Sequence, residues 1–199
     1  MKAANSHPGA STNDLRRMLR SRAVAAREAL DPQRHAQLSA ALCGHLSLLI
    51  TRLAPCRLAF CWPYRAEPDL RGLIADWLAG DAERRAGLPV VVAPDRPLVF
   101  YRWTPDTPLR EDAYGIPVPA VADVIAPELV LVPLNAFDAR GYRLGYGGGY
   151  FDRTLAALEP PPQTIGVGFE LGRVQSILPE PHDRPMDWIV TESGVFAAD

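Results

Sequence analysis

Residues 143–153 read Arg-Leu-Gly-Tyr-Gly-Gly-Gly-Tyr-Phe-Asp-Arg, with glycine at 145, 147, 148 and 149. A backbone this bare can take positive φ and approach a ligand with no Cβ in the way. Successive N–H groups along such a loop form a concavity for anions. The residues from Tyr150 onward read as a helix to about Leu158, whose N-terminus would add partial positive charge at the same place. Arg143 and Arg153 bracket the loop with guanidinium forks that match phosphate oxygens. Asp152, an acid among cations, makes sense where a divalent ion bridges it to phosphate. With the aromatic pair Tyr146 and Tyr150, these features weigh against a plain turn and point to a nucleotide or another polyphosphate. Walker A would need Lys and Ser/Thr after the glycines, and the dinucleotide fingerprint would need glycine where Tyr150 stands.

Other side chains could join this loop. Arg16 and Arg20 lie four apart, so one helix face can present both to a phosphate chain. Arg17, Arg22 and Arg27 are close by, and a generally basic, solvated helix explains the pair as well or better. Glu67, between Arg65 and Pro68, can accept hydrogen bonds from a polar ring edge or serve as an acid at a helix start. Trp62 can line the same pocket or pack in a core. Tyr114 heads the stiff run Gly-Ile-Pro-Val-Pro and can lie flat on an aromatic ring, though a plain linker explains the run equally. Asp183 and Asp187 are each either a metal ligand or a surface acid. His182 has no metal-type spacing and receives no role.

These residues need a scaffold. Leu15, Leu19, Ala23, Ala26 and Leu30 predict a first helix with Arg16 and Arg20 opposite the apolar stripe. Asp31-Pro32 is a cap and first-turn pair for a second helix, with Leu38, Leu42, Leu46, Leu49 and Leu53 inward. A third helix is expected over 69–78. Strands are expected at 58–62, 88–92, 98–103, 129–132, 164–169 and 187–191. Strands alternating with helices predict a layered α/β domain with a mostly parallel sheet. In open sheets of this kind ligands sit beyond the carboxyl ends of strands. Two loops qualify: the one after Trp62 and the one after Val132 that leads to the glycines.

Composition narrows the class. The chain has 199 residues, 48% hydrophobic and 22% charged, with a formal net charge of -2. That suffices for one core, expected over 13–199, with residues 1–12 expected to be disordered. Near-neutral charge argues against nucleic-acid binding. Cys43, Cys56 and Cys61 show no C-x-x-C spacing, so a reducing cytoplasm is expected rather than a disulfide framework or a zinc site. Neither a secretory signal nor a membrane span is read in the chain. A monomer is expected.

The loop R-L-G-Y-G-G-G-Y-F-D-R-x-L, preceded by V-P-x-x-A-F-D-x-x-G, resembles the signature of the 5-formyltetrahydrofolate cyclo-ligase family. The resemblance extends in order through the basic first helix, the segment at Glu67, the L-P-V-V strand, the G-I-P-x-P element and the late Asp before I-V-T-E. It implies a three-layer α/β sandwich similar to the sugar-phosphate isomerase and coenzyme A transferase folds. The implied reaction converts 5-formyltetrahydrofolate and ATP, with magnesium, to 5,10-methenyltetrahydrofolate, ADP and phosphate. By position, Arg16 and Arg20 would hold ATP phosphates. Arg143, Leu144, Gly145, Tyr146, Gly147, Gly148, Gly149, Tyr150 and Phe151 would wrap the nucleotide, with Tyr146 and Tyr150 also meeting the folate. Trp62 and Glu67 would touch the folate, Tyr114 would be a stacking wall, and Asp152 and Asp187 would hold magnesium. No side-chain nucleophile or base is implied. Arg16 stands where the family usually has Lys, Phe151 replaces a usual Tyr, and Asn135 replaces a small residue. These departures keep open a non-catalytic folate- or nucleotide-binding relative, or an ATP-dependent enzyme for another formylated small molecule.

Overall fold

The computed structural model describes residues 11–198. The expected disorder of residues 1–12 lies outside that range up to residue 10. Ser11 and Thr12 overturn the rest of it: Ser11 caps α1 (Thr12–Glu28) by accepting from the Asp14 N–H at 3.2 Å. α2 (Pro32–Leu53) starts as read, with Asp31 accepting from the Arg34 N–H at 2.9 Å and Pro32 pre-set in the first turn.

The chain then runs through β1 (Arg57–Ala59), α3 (Arg71–Ala79), β2 (Arg85–Val90) and β3 (Val99–Trp103). A small hairpin follows, β4 (Leu109–Glu111) with β5 (Pro117–Pro119), and then β6 (Val124–Ile125) and β7 (Leu129–Pro133). A second hairpin, β8 (Ala136–Phe137) with β9 (Arg143–Leu144), leads into α4 (Tyr150–Ala157). β10 (Gln163–Val167), β11 (Trp188–Thr191) and β12 (Gly194–Ala197) complete the order.

Eight strands form one sheet in the order β12-β11-β10-β7-β1-β2-β3-β6. From β11 to β2 they run parallel, and the outer strands are antiparallel to their neighbours. Central strands are buried on both faces, so they read as apolar runs rather than alternation. On one face Leu58, Leu129 and Leu131 meet Leu42 and Leu46 of α2 and Ile74 of α3. Phe60 and Trp103 stack edge-on there with centroids 5.0 Å apart. On the other face Ala59, Val130 and Val132 meet Leu155 of α4. The result is the expected sandwich with the sheet in the middle.

Several expectations change. β2 begins three residues early, because Gly87 and Pro89 depress its strand signal. Gly87 is needed for close approach: a Cβ there would lie 2.7 Å from Ile125 Cδ1. The segment after Tyr114 is the second strand of a hairpin rather than a linker. The apolar stripe of α1 is also corrected. Its buried residues are Arg16, Ala23, Val24 and Arg27, while Ala26 is exposed. Arg16, Arg20, Ala23 and Arg27 follow one face at steps of four, three and four, so the arginines point inward. No helix among the described residues is long and apolar enough to cross a membrane.

Leu42 is fully buried in α2, whereas Leu48 on the same helix is 73% exposed. Leu42→Ala is expected to cost about 2–5 kcal/mol of unfolding free energy in urea titration, and Leu48→Ala no more than about 0.5 kcal/mol.

Candidate active site

A cavity of about 610 Å³ opens at the carboxyl ends of β1, β2 and β7, where Cys61, Val91 and Pro133 form part of its wall. The glycine loop supplies another part. Hairpin β8–β9 turns the chain back after β7 and delivers Arg143 and Leu144 to the cavity. Gly147 and Gly149 take φ of 95° and 64°, and Gly149 stands directly before the first turn of α4. Arg153 steadies the loop from within α4, donating to the Gly148 carbonyl at 2.7 Å with its guanidinium 5.0 Å from the Tyr150 ring.

α1 contributes two arginines in different states. Arg16 is buried and forked onto Asp183, at 2.5 and 2.9 Å, with a further bond to the Leu178 carbonyl. Burial would push the Asp183 carboxyl up, but Arg16 and the Glu180 N–H hold it below the usual range. Arg20 has a buried Nε without a partner among the described residues. Burial, and then the neighbouring Arg16, lower its affinity for its own proton. A Cβ on Gly147 would lie 3.6 Å from the Arg20 guanidinium carbon, so the unsatisfied cation sits against the glycine loop. An anion here would satisfy Arg20.

Arg143 is buried and donates to Asp152 Oδ1 at 3.0 Å. The Arg184 N–H also reaches Oδ1, at 3.3 Å, and among the described residues Asp152 Oδ2 has no hydrogen-bond partner. Phe151 packs against the core cluster around Leu155 and also borders the cavity, with the Arg143 guanidinium 6.0 Å from its ring.

Glu67 sits in the loop after β1 and is only 5% exposed. Its Oε2 accepts from the Tyr64 N–H at 3.1 Å and its Oε1 from the Tyr146 hydroxyl at 2.9 Å. Burial pushes its carboxyl up from the usual range, opposed by Arg27, by Tyr146 and by the Tyr64 N–H. Tyr146 thus joins the glycine loop directly to Glu67. Trp62 is a half-buried part of the wall, with the Arg71 guanidinium 4.6 Å from its ring. Tyr114 is exposed, and its hydroxyl lies 3.4 Å from that of Tyr150. That contact raises the Tyr150 phenol.

Of the residues given a ligand role from the sequence, all line this cavity except Arg153, which is turned onto the loop backbone, and Asp187. Asp187 precedes β11, at the amino end of the strand, and its Oδ2 accepts from the Thr164 N–H and hydroxyl at 2.7 and 2.8 Å. It staples β10 to β11, while Asp183, four residues earlier, faces the cavity. Arg27, read at first as part of a solvated basic face, is buried behind the wall. Its eleven-residue spacing from Arg16 is three helical turns and could have revealed it.

Fold and cavity define an α/β protein with an anion-favouring cradle at the carboxyl edge of a parallel sheet. The profile of the 5-formyltetrahydrofolate cyclo-ligase family matches residues 12–192, and the chain belongs to that family. A 5-formyltetrahydrofolate cyclo-ligase from Escherichia coli is 33% identical over 141 residues, 67% of this chain and 76% of that protein. One from Haemophilus influenzae is 34% identical over 95 residues, 45% of this chain and about half (51%) of that protein's length. The solved structure of Aquifex aeolicus 5,10-methenyltetrahydrofolate synthetase superposes with a TM-score of 0.79 at 28% identity, covering 92% of this chain and 93% of that one.

A carboxyl whose folded-state pKa is raised makes the folded state bind the proton more tightly than the unfolded chain. Its contribution is present below the unfolded pKa of 4.5 and is lost as pH rises through the higher folded value. Urea unfolding should therefore show wild type losing stability relative to Glu67→Gln as pH rises above 4.5. A flat difference between the two proteins would remove Glu67 from the titrating groups.

Proposed function

We propose that this protein closes 5-formyltetrahydrofolate to 5,10-methenyltetrahydrofolate at the expense of ATP, releasing ADP and phosphate. One observation carries the reading: a single cavity joins the glycine cradle and its arginines to Glu67 and Trp62, with Tyr146 belonging to both parts. Family membership supports the reaction class, and about 610 Å³ is ordinary for a small-molecule site.

The formyl oxygen of the folate attacks the γ-phosphorus, and the bond from that phosphorus to the ADP oxygen breaks. The formyl carbon now carries a phosphate leaving group. N10 adds to that carbon, loses its proton to solvent, and phosphate departs with the former formyl oxygen. This chemistry needs positioning and charge neutralisation more than a protein nucleophile. Arg20 and Arg143 and the bare N–H groups of 145–149 receive the phosphates. Arg16 joins them by exchanging Asp183 for a phosphate oxygen. Trp62, Glu67 and Tyr114 receive the ring system of the folate.

The residues fit a magnesium ion that phosphate oxygens help to bind. No cluster of three acidic, His or Cys side chains occurs among the described residues, and magnesium commonly takes only one or two carboxylates alongside phosphates. Asp152, with Oδ2 open, is the residue to hold it. Held there, the ion would offset phosphate charge. Asp187, engaged by Thr164, stays out of this set.

Purified protein given ATP, magnesium and 5-formyltetrahydrofolate should develop the methenyl absorbance and release equal ADP. Asp152→Asn should lower turnover about 10²-fold while remaining folded, whereas Asp187→Asn should leave the magnesium dependence unchanged. Folded wild-type protein that yields neither chromophore nor ADP would sink the reading.

A further inference from the structure

Arg27 on α1 is 2% exposed and lies behind the cavity wall rather than in it. Its guanidinium donates in four directions. Nε reaches the Arg65 carbonyl at 2.9 Å, and Nη1 reaches the Leu134 carbonyl at 3.3 Å and Asn135 Oδ1 at 3.1 Å. Nη2 reaches the Tyr146 hydroxyl at 2.9 Å and stands 4.0 Å from Glu67 Oε1. The loop after β1, the turn after β7 and the glycine cradle all meet at this one buried cation.

The directions of these bonds fix more than position. A guanidinium can only donate, so the Tyr146 oxygen must accept from Arg27. The hydroxyl's own proton then goes to an acceptor, and Glu67 Oε1 at 2.9 Å is the nearer of two; the Tyr64 carbonyl is at 3.5 Å. Glu67 Oε2 meanwhile accepts from the Tyr64 N–H. Both carboxylate oxygens therefore accept hydrogen bonds from the protein, which is the arrangement of an ionised group. A buried carboxylate is costly without a cation at hand, and Arg27 is the cation within 4.0 Å.

We propose that Arg27 is a positioning residue: through Tyr146 it keeps Glu67 an acceptor-only carboxylate, aimed at an N–H-bearing edge of the bound ring. Asn135 is its neutral holder, with Oδ1 on Arg27 and a buried Nδ2 that has no partner among the described residues. The other groups facing Glu67 are Cys61 and Tyr64, from the end of β1 and its loop. His35 of α2 faces the adjacent Ala66 carbonyl instead.

Because this role presupposes that Glu67 meets the substrate, the test reads the carboxylate itself as well as turnover. In protein carrying 13C-labelled glutamate, the Glu67 resonance is the one lost in Glu67→Gln. Arg27→Met is expected to raise its titration midpoint by about one pH unit or more. Asn135→Asp, nearly isosteric and placing a second anion on Arg27, should move it the same way by less and covers the case in which Arg27→Met does not fold. The acid limb of kcat/KM for 5-formyltetrahydrofolate should shift to higher pH in step, and Arg27→Lys should restore part of the shift. A Glu67 midpoint unmoved in the folded variants overturns the role, as does an acid limb that stays in place while turnover falls. Shifted titrations in a protein without turnover would keep the role of Arg27 and discard the folate reading.

Discussion

A guanidinium taken out of water must find acceptors that replace its hydration, and the face of α1 buries two of them, Arg16 and Arg27. The loops at the carboxyl edge of the sheet offer the carbonyls and carboxylates that do this. Arg16 takes Asp183 and the Leu178 carbonyl; Arg27 takes the loops after β1 and β7 and the Tyr146 hydroxyl. The docking of α1 is thus polar where that of α2 is apolar. Polar docking also fixes direction, because each donor needs its acceptor in line. The cavity is the space that remains once those demands are met.

Charge within that space is arranged unevenly. Arg16 and Arg143 are already paired with acids, while Arg20 has a buried donor still unmatched. Paired cations keep the pocket from accumulating unbalanced charge, and under the proposed function phosphate oxygens would take the place of their acids. The glycine backbone takes positive φ at 147 and 149 and leaves the loop free of side chains that would cover its N–H groups. Phe151 turns its ring into the core around Leu155, so the hydroxyl missing at this position costs no packing.

Much of this architecture was legible from residues alone. The glycine loop and the helix starting at Tyr150 were readable because bare backbone, flanking arginines and helical spacing all agree there. Asp31-Pro32 announced α2 for the same reason. The small hairpins were not readable, since two- and three-residue strands are too short for periodicity to register. α1 misled because leucine and alanine outrank arginine in any apolar stripe; the spacing of Arg16 and Arg27 puts them on one face, and the surroundings show that this face meets polar loops. Asp183 and Asp187 were indistinguishable by spacing; the turn of chain between them carries one to the cavity and the other to Thr164.

The fork between Arg16 and Asp183 spans 167 residues of sequence, and the bond to Leu178 spans 162. As the chain leaves the ribosome, its first helix emerges long before the segment that neutralises it. This wall of the pocket can therefore assemble only after the segment carrying Leu178 and Asp183 has emerged, and until then Arg16 lacks the acceptors that its burial demands.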